Sequence, residues 1–168
     1  MWRLHERAAD GIGAAVVFWS SVCSHCERYD GYLNAFSTRH PDLAFAAIAS
    51  RQNETADDIR AALAARHLTF TTIYDPGSAV ARMLFTQHTP RVFLVDREGR
   101  LVYRGAIDNF KYPDDPDYDA YLEPAIEALR AGRAVARPET PSFGCSIESV
   151  YYTIHRPLGA KLLPVRRA

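Results

Sequence analysis

Cys23 and Cys26 are two of the three cysteines in this 168-residue chain, and two residues separate them. That spacing lets the sulfurs close a small ring, so the pair can pass between dithiol and disulfide. The apolar run Val17-Phe18-Trp19 ends at Ser20-Ser21 just before the pair, and helical spacing of Tyr29, Leu33 and Phe36 begins just after it. A strand–CxxC–helix order puts Cys23 at a helix start. Unpaired backbone N–H groups and the positive end of the helix dipole there favour a thiolate over a thiol. Cys23 is therefore expected to attack, and Cys26, one turn in and more buried, to resolve the mixed disulfide. His25 lies between them. An imidazolium at that position would stabilise the Cys23 thiolate and make the disulfide more oxidising; the alternative is an exposed polar residue of the first turn.

A CxxC can also be half of a zinc site, but that requires two further ligands at suitable spacing. Only Cys145 remains, and the chain has no second CxxC and no HxxxH. Two cysteines that merely fill a core do not suit a strand-to-helix junction, and redox use of the pair takes most of the remaining weight. Cys145 stands in Pro141-Ser142-Phe143-Gly144-Cys145-Ser146-Ile147. If that segment folds back, Cys145 could accept the Cys23–Cys26 disulfide or hold a mixed one; a lone buried or free thiol is the other reading. Asp30, four residues after Cys26, falls on the same helical face, where it is either a proton relay or a plain surface residue.

The elements that must carry these residues follow in order. Residues 14–19 form a continuous apolar run suited to a buried central strand, and residues 43–49 form another. A helix is expected over 24–39, stopped by His40-Pro41-Asp42, and a second from the capping residues at 53–58 to about His67. A short strand at 70–74, a turn at Asp75-Pro76-Gly77 and a short helix at 78–85 follow. Residues 91–96 and 101–104 read as a β-hairpin around Gly99. A last helix is expected over about 117–131, interrupted or restarted near Pro124, with Gly132 as its stop. This β-α-β-α-β-α order ending in a hairpin and a helix implies an α/β fold, a mixed sheet with helices on both faces. Residues 1–132 form the expected domain, and 133–168, with four prolines and no clear periodicity, an extended C-terminal tail packed on it.

Composition narrows the function classes. Lys plus Arg equals Asp plus Glu at 20 each, so no net charge draws the chain to nucleic acid or membrane surfaces. The acidic stretch at 114–119 and the basic one at 161–167 read as solvated loop and tail. Hydrophobic residues make up 48% and charged ones 24%, as in globular domains, and no run is long enough to span a bilayer. Met1 to Glu6 opens with no apolar signal-like core, so the expected location is cytoplasmic if the chain is whole, and extracytoplasmic if a leader has been removed.

Thr89-Pro90 opens a strand, a costly place for proline unless the position is special. Together with Phe18 to Cys26, the segment Val92-Phe93-Leu94-Val95-Asp96 and Gly99, it resembles the thioredoxin superfamily, more narrowly its TlpA-like and redoxin branch. The likeness covers roughly residues 14–131, with an extra strand–helix element before the proline. It implies a thioredoxin-like fold and a thiol–disulfide oxidoreductase acting through Cys23 and Cys26, with His25 beside them and no cofactor. It further implies a cis Pro90 facing the disulfide, a Thr89 backbone free to pair with a bound substrate chain, and Thr89, Pro90 and Trp19 as the residues that meet substrate. The partners implied are a protein disulfide or dithiol and a redox partner protein.

The chain departs from that pattern at several positions. Val22 stands where thioredoxins have Trp, Val17 where they bury an acid, and Tyr29 where TlpA-like proteins often have Glu. Two other readings follow from the same resemblance. A thiol peroxidase would have Pro and Thr or Ser in a PxxxTxxC pattern, where this chain has Val16 and Ser20. A non-catalytic module would dock a partner or carry copper with its cysteines idle, His88, which precedes Thr89, being the candidate copper ligand, although Sco-like relatives use a wider cysteine spacing.

Overall fold

The computed structural model describes residues 3–148. Strand β1 (Gly13–Trp19) is buried along its whole length, as its uninterrupted apolar run requires. It pairs in parallel with β2 (Leu43–Ala49), which pairs in parallel with β3 (Thr72–Tyr74). On its other side it meets β5 (Arg91–Asp96) antiparallel, and β5 turns back into β6 (Leu101–Gly105). The result is the expected mixed sheet, ordered β3-β2-β1-β5-β6.

Side chains alternate across a strand, and β1 divides the core accordingly. Ala15, Val17 and Trp19 face Cys26, Leu33, Phe36, Ile59, Leu122 and Ile126, whereas Val16 and Phe18 face Ile48, Ala81, Phe93 and Ile147. The first face is covered by α2 (Ser24–Glu27), α3 (Asp30–Asn34), α4 (Phe36–Arg39), α5 (Ala56–Ala65) and α7 (Leu122–Arg130). The second is covered by α6 (Ala79–Met83), with Leu4 of α1 (Leu4–Ala9) at its edge.

The single helix expected over 24–39 is three short ones. Tyr29 leaves helical geometry (φ −100°, ψ 2°), and its amide bonds back to the Cys26 carbonyl at 2.8 Å, a tightened turn. The break brings the Tyr29 ring into the core, with its hydroxyl 2.5 Å from Asp108 Oδ1. The last helix starts at Leu122 rather than near 117, because the amides of Tyr121 and Leu122 are both taken by the Ile107 carbonyl. Pro124 then falls in its first turn, where no N–H is needed. Thr55 caps α5 reciprocally with Asp58.

The segment after α7 runs extended along the sheet edge. Arg104 exchanges backbone bonds with Pro138 and Thr140, and Thr140 Oγ1 meets the Tyr103 hydroxyl at 2.7 Å. It ends in β7 (Cys145–Ser146), which pairs antiparallel with β4 (His88–Thr89). The acidic loop is tied internally, through Lys111 to Asp115 and Asp117 and through Arg137 to Asp119. The basic stretch at 161–167 lies outside the described residues.

Candidate active site

Two strand ends converge to build the site. Antiparallel pairing of Phe18 with Arg91 brings the chain entering β5 beside the chain leaving β1. Thr89-Pro90, whose peptide is cis, thus arrives next to Ser20–Cys23. Cys23 is the N-cap residue of α2, and its carbonyl accepts from the Cys26 and Glu27 amides at 2.9 and 3.1 Å. Its thiol donates to the Thr89 carbonyl at 3.3 Å. Both Cys23 and Cys26 are buried.

The two sulfurs have opposite proton affinities. A hydrogen bond from the Cys26 thiol is the largest influence on Cys23. Against the cost of burial, and with help from the Cys145 thiol and the Thr89 side chain, it pulls Cys23 down to about 4. Cys26 is pushed well above the ordinary thiol value, by burial first and then by the Cys23 sulfur beside it. An attacking and a resolving thiol differ in this sense.

The loop carrying Cys23 is held from behind. Ser21 donates its amide to Glu54 Oε1 at 2.5 Å, and its carbonyl accepts from Arg66 Nη2 at 2.5 Å. Arg66 also reaches Asp30 Oδ2 at 3.0 Å, and the Trp19 indole donates to Asp30 Oδ1 at 2.9 Å. At the front, His25 stacks on Phe110 with ring centroids 4.9 Å apart, and the Arg28 guanidinium lies over Phe110 and Tyr112. Phe110, Phe143, Tyr29 and Asp108 surround a small hollow beside Pro90. Val22, Phe110 and Phe143 are exposed apolar side chains.

The Redoxin family model matches residues 4–122. The chain belongs to the Redoxin family. The thiol-disulfide oxidoreductase ResA of Bacillus cereus is 25% identical over 92 residues, a match spanning 55% of this chain and 53% of ResA. The chain thus matches about half the length of that curated relative. A hypothetical protein of Sinorhizobium meliloti 1021 superposes with a TM-score of 0.74 at 30% identity, covering 84% of this chain and 82% of the other. A putative thiol:disulfide interchange protein DsbE from Chlorobium tepidum gives 0.59 at 21% identity over 74% of this chain and 83% of that one, a likeness of fold. The fold is thioredoxin-like.

Within this Redoxin-family chain, Cys23, Cys26, Thr89, Pro90 and Cys145 come together, and other expected site residues do not. Trp19, expected to meet substrate, is fully buried against Phe70 and Asp30 and supports the site from the core side. Asp30 is buried, with both oxygens engaged by Trp19 and Arg66. The Thr89 backbone, expected to be free, is already paired with Cys145 of β7. The reason is local: Gly144 lets the tail approach so closely that a Cβ there would lie 1.8 Å from the Thr89 carbonyl oxygen. His88 sits opposite Ser146 in that ladder, half-buried. Among the described residues no group of His, Cys, Asp and Glu is arranged to hold a metal ion. Sequence reasoning missed Glu54, Arg66 and Phe110. Glu54 reads as a residue of the turn before α5, and only its burial reveals that it holds Ser21.

Proposed function

We propose that the chain exchanges thiols and disulfides with polypeptide substrates, Cys23 attacking and Cys26 resolving. The observation that carries this reading is the placement of the pair: Cys23 caps α2 beside the cis Thr89-Pro90 peptide, and Cys26 lies fully buried less than one turn further in. The Cys23 thiolate attacks a substrate disulfide, forming a mixed disulfide and releasing one substrate sulfur as a thiolate that takes up a proton. Cys26 then attacks Cys23 Sγ. The Cys23–Cys26 bond forms, the second substrate sulfur leaves as a thiol, and two electrons have passed to the substrate. Part of what holds the Cys26 proton is the neighbouring Cys23 sulfur. Once Cys23 is bonded to substrate that charge is gone, so Cys26 ionises more readily at the step that needs it.

The activity named for ResA supports this chemistry, and the apolar rim of Val22, Phe110 and Phe143 supports a polypeptide as substrate. His25 contributes to that rim by its stack on Phe110. Dithiothreitol-driven reduction of a disulfide-containing protein tests the reading. Cys23→Ser should abolish the acceleration, and retained activity in that variant would sink the proposal. The reduction potential of the pair gives the direction of use, since about −270 mV marks a reductant and about −120 mV an oxidant.

A further inference from the structure

The third cysteine occupies a built position. Cys145 is opposite Thr89 in the β4–β7 ladder, and Thr89 is the residue whose carbonyl accepts from Cys23. Three features fix the strand there. Gly144 has a φ of 156° and leaves no room for a side chain against Thr89. The Ile147 amide bonds to the Gln87 carbonyl at 2.9 Å, and its carbonyl accepts from the Gln52 amide at 3.0 Å. The Ile147 side chain is buried with Val16, Phe18, Ile48 and Phe93. Cys145 itself packs on the core cluster that contains Cys23 and Cys26. Burial and the Cys23 sulfur both push the Cys145 thiol up, as expected for two sulfurs placed on either side of Thr89.

Building on the Cys23–Cys26 exchange above, we propose that Cys145 is a third catalytic thiol, forming a disulfide with Cys23 from a strand that lies where a substrate chain would otherwise pair. In the oxidised protein the Cys145 thiolate attacks Cys23 Sγ. The Cys23–Cys145 bond forms, the Cys23–Cys26 bond breaks, and Cys26 leaves as a thiolate that takes up the proton Cys145 gave away. No electrons leave the protein. In a mixed disulfide between Cys23 and an external thiol, the same attack releases that thiol. Cys145 is half-buried where Cys26 is fully buried, so the oxidising equivalent moves toward the surface when it passes from one to the other.

Glutathione disulfide acting on full-length, pre-reduced Cys26→Ser protein tests this, read by intact mass and peptide mapping. The Cys23 thiolate displaces one glutathione and carries the other as an adduct; Cys145 then displaces the second. The expected product is a Cys23–Cys145 cross-link, with the adduct shorter-lived by about tenfold or more than in Cys26→Ser/Cys145→Ser. A stable glutathione adduct on Cys23 with Cys145 still free would overturn the proposal. Absence of any adduct in the double variant would instead remove Cys23 as the attacking thiol and with it both readings. Gly144→Val in the Cys26→Ser background should slow the cross-link, and an unchanged rate would show that the β7 strand does not position Cys145.

Discussion

The Trp19 indole N–H points at Asp30 and donates to it at 2.9 Å, so the last residue of the central strand is tied to the helix that follows the CxxC turn. Arg66, about one-quarter exposed, closes the arrangement by binding Asp30 and the Ser21 carbonyl together. Asp30→Ala leaves a buried indole N–H without an acceptor and an arginine without its carboxylate. The expected loss is about 2 kcal/mol, with the ion-pair part discounted for the exposure of Arg66. Urea unfolding should show a lower midpoint at an unchanged slope. Exchange should also slow, because the loop holding Cys23 loses a support.

The thiolate at Cys23 depends first on the Cys26 thiol, and His25 is not among the groups that lower it. Cys26→Ala should therefore raise the midpoint for alkylation of Cys23, and His25→Ala should leave it in place. Iodoacetamide reaction rates followed against pH separate the two variants. A midpoint that moves in His25→Ala would give the imidazole the role of stabilising the thiolate through space.

The same protons make the stability of the reduced protein depend on pH. Cys23 lies near 4 in the folded chain against an ordinary value of 9.0, so between these values the unfolded chain binds more protons. The stability that Cys23 contributes is present above the ordinary thiol value and is lost as pH falls through its folded value. Cys26 and Cys145 are shifted the other way, and their contribution is present below the ordinary value and lost as pH rises beyond it. Reduced protein should gain melting temperature relative to the Cys23–Cys26-oxidised form between about pH 5 and about pH 8. A constant difference across that range would contradict the lowered Cys23.

Thr140 joins the tail to the sheet through Tyr103 at 2.7 Å and the Ala106 amide at 3.2 Å. Thr140→Val keeps the shape and removes the hydroxyl, at an expected cost of about 1 kcal/mol. Protease should then cut the 133–144 segment sooner, with thermal unfolding as the second measurement.

How much of this was legible depended on whether the signal was local. Residues 14–19 and 43–49 are unbroken apolar runs, and both became buried strands because a strand covered on both faces needs no polar alternation. The CxxC position, at the end of one such run, followed directly. The breaks at Tyr29 and Ala35 did not show, since the apolar residues on either side keep the spacing of a single helix. Asp30 was ambiguous because its burial is decided by Trp19 and Arg66, which are distant in sequence. Strand β7 was invisible for a related reason. Two residues carry no periodicity, and only pairing with His88 and Thr89 makes them a strand.

The anchoring of Ile147 between the second core and the Gln52 and Gln87 loops has a kinetic consequence. It holds Cys145, two residues away, at a fixed place in the folded molecule, so its encounter with Cys23 is governed by an effective molarity rather than by diffusion. Well-oriented intramolecular groups reach values of roughly 10⁵ M and above, which no dissolved thiol at millimolar concentration approaches. Small thiols in the surrounding solution should therefore be outrun at Cys23, and a partner has to bring its own thiol in already oriented.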